Sequence, residues 1–242
     1  MTLRPLALPY EHGAWGFLLE PIAAGLLVSP SRAGAFVALG AVFAFLARHP
    51  LRFAVRDAFV TRKLAPRTRV CFALGAAYGS VALAGFALGG ARALIPLAIA
   101  APLAAIQFAY DVRNRGRERT AELAGAVAAG WSGCAIALAA SAPVSLAITL
   151  WLLLSARAVT SVLYVRTSLR GESRLVMYSS HLLAILLASA LALTGTASIP
   201  AIAAMTILAI RALAGTEGLR AKQIGLREFG YGVVTVLLIA FH

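Results

Sequence analysis

The chain has 242 residues, 61% of them hydrophobic and only 13% charged, whereas soluble domains carry about a quarter charged residues. No water-soluble fold could hide that much apolar surface, so the composition excludes a soluble globular domain and calls for lipid. The formal charge of +13 would suggest nucleic acid on a soluble protein. On a membrane protein it reads anionic headgroups instead, at about 1 kcal/mol per basic residue near the surface, and no nucleic-acid partner is expected.

A bilayer core needs about 20 helical residues, and nine apolar stretches approach or reach that length. In chain order they are 13–28, 33–46, 70–88, 94–108, 123–140, 145–164, 176–193, 199–210 and 230–242. The second, eighth and ninth are short, so flanking residues must extend them. Open strands are excluded, because their backbone groups would go unpaired in lipid. The expectation is an all-α polytopic membrane protein of about nine transmembrane helices, a single integral membrane domain over 1–242 with no polar linker dividing it. The N-terminus lacks the charged–apolar–cleavage order of a signal peptide, so the first helix serves as its own insertion signal. Cys71 and Cys134 fall inside apolar stretches, which disfavours a disulfide.

Basic residues fall almost entirely in alternate gaps. Arg48, Arg52, Arg56, Arg62, Lys63, Arg67 and Arg69 follow the second stretch. Arg113, Arg115, Arg117 and Arg119 follow the fourth, Arg166, Arg170 and Arg174 the sixth, and Arg211, Arg220, Lys222 and Arg227 the eighth. The other gaps hold only Arg32 and Arg92. The positive-inside rule then puts these loops and the N-terminus in the cytoplasm and the C-terminus outside, in a multi-pass cytoplasmic (inner) membrane protein. Within the first basic loop, about 48–69, Arg48, Arg52, Arg56 and Lys63 share a stripe beside Leu51, Val55 and Phe59. That pattern predicts an amphipathic interfacial helix, either a lipid anchor or a phosphate-binding edge.

Ionisable groups inside membrane helices cost about 2.5–3.5 kcal/mol on insertion scales and are functional candidates by default. The first helix opens on Tyr10-Glu11-His12-Gly13-Ala14-Trp15, where His12 and Trp15 share a face, and continues to Glu20 beside Pro21. Pro21 frees a backbone carbonyl, so Glu20 sits next to a kink. Arg157 lies deep in the sixth helix, with Ser161 and Tyr164 following on its face. It either reaches a ligand or pairs with a carboxylate, with Glu20 and Glu122 the candidates. His181 lies near the basic end of the seventh helix. It is either a packing residue or a cavity group. The alternating arginines of the loop from Tyr110 and Asp111 to Arg119 are either ordinary positive-inside charge or bidentate forks for an anion.

The chain has only two Asp, Asp57 and Asp111, and a single Asn, Asn114. Mg²⁺ held on clustered oxygen ligands is therefore not expected, and neither is any other metal or cofactor. There is no Walker loop, His-Glu-x-x-His or Gly-x-Ser-x-Gly.

Several segments carry a resemblance. Pro9-Tyr10-Glu11-His12-Gly13-Ala14-Trp15, Arg48-His49-Pro50, the Tyr110-Asp111 loop leading to Glu122-Leu123-Ala124-Gly125, and Ser161-Val162-Leu163-Tyr164-Val165-Arg166 resemble the YwiC-like membrane protein family, nearly end to end. That family implies topology more than chemistry. More distantly, the layout is similar to UbiA-type prenyltransferases, which implies a UbiA-like helical bundle with a cavity on the cytoplasmic side. The two Asp-rich motifs of that superfamily are missing here, and basic residues stand in their place.

Together these readings lead to one main expectation. A cavity facing the cytoplasm binds an isoprenoid, a quinone-type or another anionic lipid. Arg48, Arg52, Arg113, Arg157 and Arg166 meet its headgroup, and Trp15, Glu122, Ser161, Tyr164 and His181 line the cavity. If the protein is a metal-independent or degenerate prenyltransferase-like enzyme, Glu20, His12 or Asp111 is its acid or base. The alternatives are a non-catalytic membrane assembly protein, in which Arg157, Glu20 and His12 serve folding, and a small-solute transporter, for which no paired repeat is visible.

Overall fold

The computed structural model describes residues 4–9, 12–216 and 219–240, with the side chains of all of these except Arg4 and His12. A short helix α1 (Arg4–Ala7) precedes nine longer ones: α2 (His12–Val28), α3 (Arg32–Val55), α4 (Pro66–Leu88), α5 (Ala91–Val112), α6 (Arg119–Ala139), α7 (Val144–Arg170), α8 (Arg174–Leu193), α9 (Ile199–Ala214) and α10 (Ala221–Ala240). No strand occurs among the described residues. Seven of the helices are long and apolar enough to cross a membrane, while α2 and α9 are shorter apolar helices of 17 and 16 residues. At 1.5 Å per residue those two reach only about 25 Å, just short of a hydrocarbon core of about 30 Å.

The basic loop differs from expectation. Residues 48–55 form no separate interfacial helix; they are the last turns of α3, followed by a π-helical turn, Arg56–Val60. The apolar signal stops at Arg48, but a helix does not. Arginine stems lie along apolar surface while their heads reach water, and cations suit a helix C-terminus. Pro50 is buried within α3; it costs the Leu46 carbonyl its partner without ending the helix. The π turn is clamped from below. Asp57 accepts from Arg67 Nε at 3.2 Å and Nη2 at 3.1 Å, and from Thr68 Oγ1 at 3.0 Å. In the same way α10 starts well before residue 230, with Lys222, Gln223 and Arg227 in its first turns.

Each long helix touches the next, and α10 returns to α2, while α2 also packs on α6 and α7 across the middle. The centre belongs to α6 and α7, whose apolar windows are 67% and 61% buried against 17% for α5. Small residues make the crossings possible. A Cβ on Gly25 would lie 3.0 Å from the Gly133 carbonyl oxygen, and one on Gly85 would lie 2.7 Å from that of Phe36 and 2.9 Å from Gly40 Cα. Backbone thus meets backbone where α2 crosses α6 and where α3 crosses α4. The main apolar core, built around Trp131, Leu150, Leu153, Leu154, Met205 and Leu208, lies between α6, α7 and α9. At the basic end Gly171 closes α7 with φ of 66°, a left-handed position that suits glycine.

Candidate functional site

Five helices converge on one buried ion network. Arg157 of α7 is 1% exposed and Arg211 of α9 is 2% exposed. No guanidinium can be left that far from water without counter-charge. Arg211 Nη1 donates to both oxygens of Glu228 on α10 at 2.6 Å. Ser161 Oγ donates to Glu228 Oε2 at 2.7 Å. Arg157 Nη1 reaches Glu228 Oε2 at 3.4 Å, while its Nη2 donates both to the Glu228 carbonyl oxygen at 2.9 Å and to Glu20 Oε1 of α2 at 3.3 Å. Two guanidiniums thus face two carboxylates.

The two carboxylates are held unequally. Among the described residues Glu228 is gripped by three side chains from two helices, whereas Glu20 makes a single long ion pair. Glu20 rests in a notch made by α10, where a Cβ on Gly232 would overlap its carboxylate. Arg157 Nε and Arg211 Nε are buried with no hydrogen-bond partner among the described residues.

His181 of α8 completes the network. Its Nδ1 lies 2.8 Å from the Met177 carbonyl oxygen, and its Nε2 lies 3.0 Å from Arg211 Nη2. A carbonyl only accepts and a guanidinium only donates. The proton therefore sits on Nδ1, and Nε2 accepts from Arg211, which fixes a neutral tautomer. Arg211 also stacks over the Tyr164 ring at 4.1 Å and near Tyr231 at 5.5 Å, a cation–π contact that helps a buried guanidinium.

The remaining sequence-predicted residues lie elsewhere. Arg166 and Glu122 meet at 2.5 Å, and Arg166 Nε donates to Glu172 at 2.7 Å and its Nη1 to the Arg117 carbonyl at 3.0 Å. This second cluster ties α6, α7 and the turn before α8 together. The Arg166 guanidinium holds the Glu172 carboxyl below its ordinary range against the opposing effect of burial. Asp111 at the end of α5 pairs with Arg48 of α3 at 3.4 Å, and a Cβ on Gly116 would strike its carboxylate. Arg48 also lies over Phe45 at 5.2 Å, and Arg52 over Phe53 at 4.9 Å. Arg113 is exposed and donates to the Ala109 carbonyl at 3.1 Å. Trp15 packs edge-on against Phe45 at 4.9 Å. His12 opens α2, but its side chain lies outside the described residues, as do Tyr10 and Glu11. Among the described residues no three His, Cys, Asp or Glu side chains gather as metal ligands.

Two cavities stand out among the described residues. One is an open groove of about 400 Å³ between α5 and α6, and the other a pocket of about 20 Å³ between α7, α9 and α10. Neither is lined by Trp15, Glu122, Ser161, Tyr164 or His181.

A family model described as YwiC-like protein matches residues 8–138. The chain belongs to the YwiC-like family. The match spans α2 to most of α6 and includes Glu20, Arg48 and Asp111. It stops before the Ser161–Arg166 segment and before Arg157, His181, Arg211 and Glu228. No curated protein and no solved structure matches this YwiC-like chain. What is established is therefore a multi-pass helical membrane protein of this family, with its ionic centre completed by helices beyond the matched stretch.

Sequence reasoning singled out Glu20, Arg157, Ser161, Tyr164 and His181, and the fold brings all five to one place. It missed Arg211, Glu228 and Tyr231. Arg211 reads as loop charge in the sequence, because the apolar window closes at residue 210. Glu228 stood in the gap before a window that opens at 230. One signal was available: with only nine acidic residues in the chain, any carboxylate next to a span is a potential partner for a buried arginine.

Proposed function

We propose that this YwiC-like protein binds an anionic amphiphile, an isoprenoid or other anionic lipid, through the Arg157–Arg211 network, with Glu20 as the counter-ion that the headgroup displaces. One observation supports this above the others: the unequal grip on the two carboxylates. Glu228 is fixed by Arg211, Ser161 and Arg157, while Glu20 holds Arg157 by one contact of 3.3 Å. A phosphate or carboxylate oxygen taking the place of Glu20 finds Arg157 already oriented, and the unpartnered Nε atoms offer further donors. If chemistry follows binding, Glu20 and His12 are the acid–base candidates closest in sequence to the network. Asp111 is tied to Arg48 instead.

The test is native mass spectrometry of the protein in mild detergent, with extracted lipids identified, for wild type, Glu20→Gln and Arg157→Gln. Glu20→Gln is expected to retain more anionic lipid than wild type, and Arg157→Gln less. A folded Glu20→Gln protein with unchanged lipid content would refute the displacement reading. It would favour the second one, a non-catalytic assembly protein whose network only locks helices. The balance of two cations by two anions is the observation behind that alternative.

The same proposal puts the basic end in the cytoplasm. A cysteine at Arg117 should react with impermeant maleimide only in inverted vesicles, and one at Thr194 only in right-side-out vesicles. The opposite pattern would reverse the orientation.

A further inference from the structure

The groove between α5 and α6 is separate from the ion network and shares no residue with it. Its walls are Leu103 and Ile106 on α5 and Leu123, Ala124 and Val127 on α6, and Arg119 and Thr120 stand at its basic end. From Thr120 to Val127 it runs about 10 Å along α6. Its outer wall faces the bilayer, because α5 is the least buried of the spanning helices and Ile106 is 41% exposed. The groove is thus apolar along its length and cationic at the headgroup level.

The cationic end is uncommitted. Arg119 is exposed and forms no salt bridge or hydrogen bond among the described residues, acting only at longer range on Glu172. Glu118 occupies the N-cap of α6 but makes no side-chain cap. Its carboxylate is turned to Arg115 instead, whose Nη2 donates to it at 3.0 Å. The first-turn N–H groups of α6 and Arg119 thus lie at the same end of the helix, and both favour an anion. Exposed Arg113 and Arg117 on the preceding loop add positive charge.

We propose that this groove is a docking site for an anionic phospholipid of the surrounding leaflet, with one acyl chain between Ile106 and Val127 and its phosphate on Arg119 and the start of α6. Charge complementarity selects this occupant: a zwitterionic headgroup would bring its own cation against Arg119, and a second copy of this chain would bring a like charge.

The protein is titrated in detergent with phosphatidylglycerol and phosphatidylcholine of identical chains, and bound lipid is counted by native mass spectrometry. Wild type should prefer phosphatidylglycerol by about fivefold, the effect of one basic residue at a membrane surface. Arg119→Gln should bring the ratio close to one, and Ala124→Phe, which fills the groove, should reduce both lipids. In the Arg157→Gln background, which removes anion binding by the network, Arg119→Gln should lower the ratio by the same factor, which separates this site from the network. An equal ratio in wild type, or a preference that Arg119→Gln leaves unchanged in both backgrounds, would overturn the proposal. So would a dimer that Ala124→Phe converts to monomer, since the groove would then be an interface between copies.

Discussion

Removing the Glu228 carboxylate should be the most damaging single change in the network. Glu228 takes two contacts of 2.6 Å from Arg211, one of 2.7 Å from Ser161 and one of 3.4 Å from Arg157. Glu228→Ala leaves two buried guanidiniums facing Glu20 alone, an excess of one positive charge. Breaking a buried pair from one side costs about 3–5 kcal/mol, because the remaining charge is uncompensated. For a chain of this size that is a Tm loss of about 6–20 °C, at roughly 2–4 °C per kcal/mol. Glu20→Gln also leaves an excess of one positive charge, but its amide oxygen can still accept from Arg157 in place of the 3.3 Å contact, so it should cost less, about 1.5–3 kcal/mol. The decisive variant is the double substitution Glu228→Leu with Arg211→Met. It leaves Arg157 and Glu20 as a balanced pair and replaces the other two with apolar bulk, a change that is often neutral in proteins. Thermal unfolding followed by tryptophan fluorescence in a fixed detergent compares the four proteins. The double variant should be more stable than Glu228→Ala. If the double variant is no more stable than Glu228→Ala, charge balance is not what holds the network.

Three further outcomes follow from the same geometry. His181→Phe removes the acceptor of Arg211 Nη2 and should cost about 1–3 kcal/mol; His181→Gln, which restores an acceptor, should recover part of that loss in the same melt, and no recovery would argue against the assigned tautomer. Gly85→Ala should lose about 1–3 kcal/mol by pushing α4 off the α3 backbone, whereas Gly79→Ala, with nothing within 4 Å of its added Cβ, should be neutral or slightly stabilising. Glu172 has a folded-state pKa below its ordinary value, so its contribution is present above the ordinary carboxylate range and lost as pH falls through the depressed value. The Tm gap between wild type and Glu172→Gln should therefore hold at neutral pH and close in acid. A gap that persists at a pH where the carboxyl is protonated would show that the Arg166 contact is not its source.

The spans and their alternation were legible in the sequence because lipid imposes one rule on every residue: apolar for about 20 positions, charges at the ends. Hydropathy also exposed Glu20, Arg157 and His181, since each is anomalous against its own helix. The ends of the helices were not legible. Arg48 and Arg52 continue α3, Arg56 opens the π turn after it, and Lys222 and Arg227 begin α10, because a hydrogen-bonded helix persists where its side chains turn polar. For the same reason Arg211 and Glu228 passed for loop residues. Which carboxylate answers which arginine was decided only by the tertiary structure. Arg157 had two candidates in the sequence, Glu20 and Glu122. Packing gave it Glu20 and gave Glu122 to Arg166, because α2 packs on α6 through Gly25 and Gly133, and α10 packs on Glu20 of α2 at Gly232. Hydropathy acts locally along the chain and can be read from it. Charge pairing among helices far apart in sequence depends on which faces meet, and that depends on where glycines let the backbones approach.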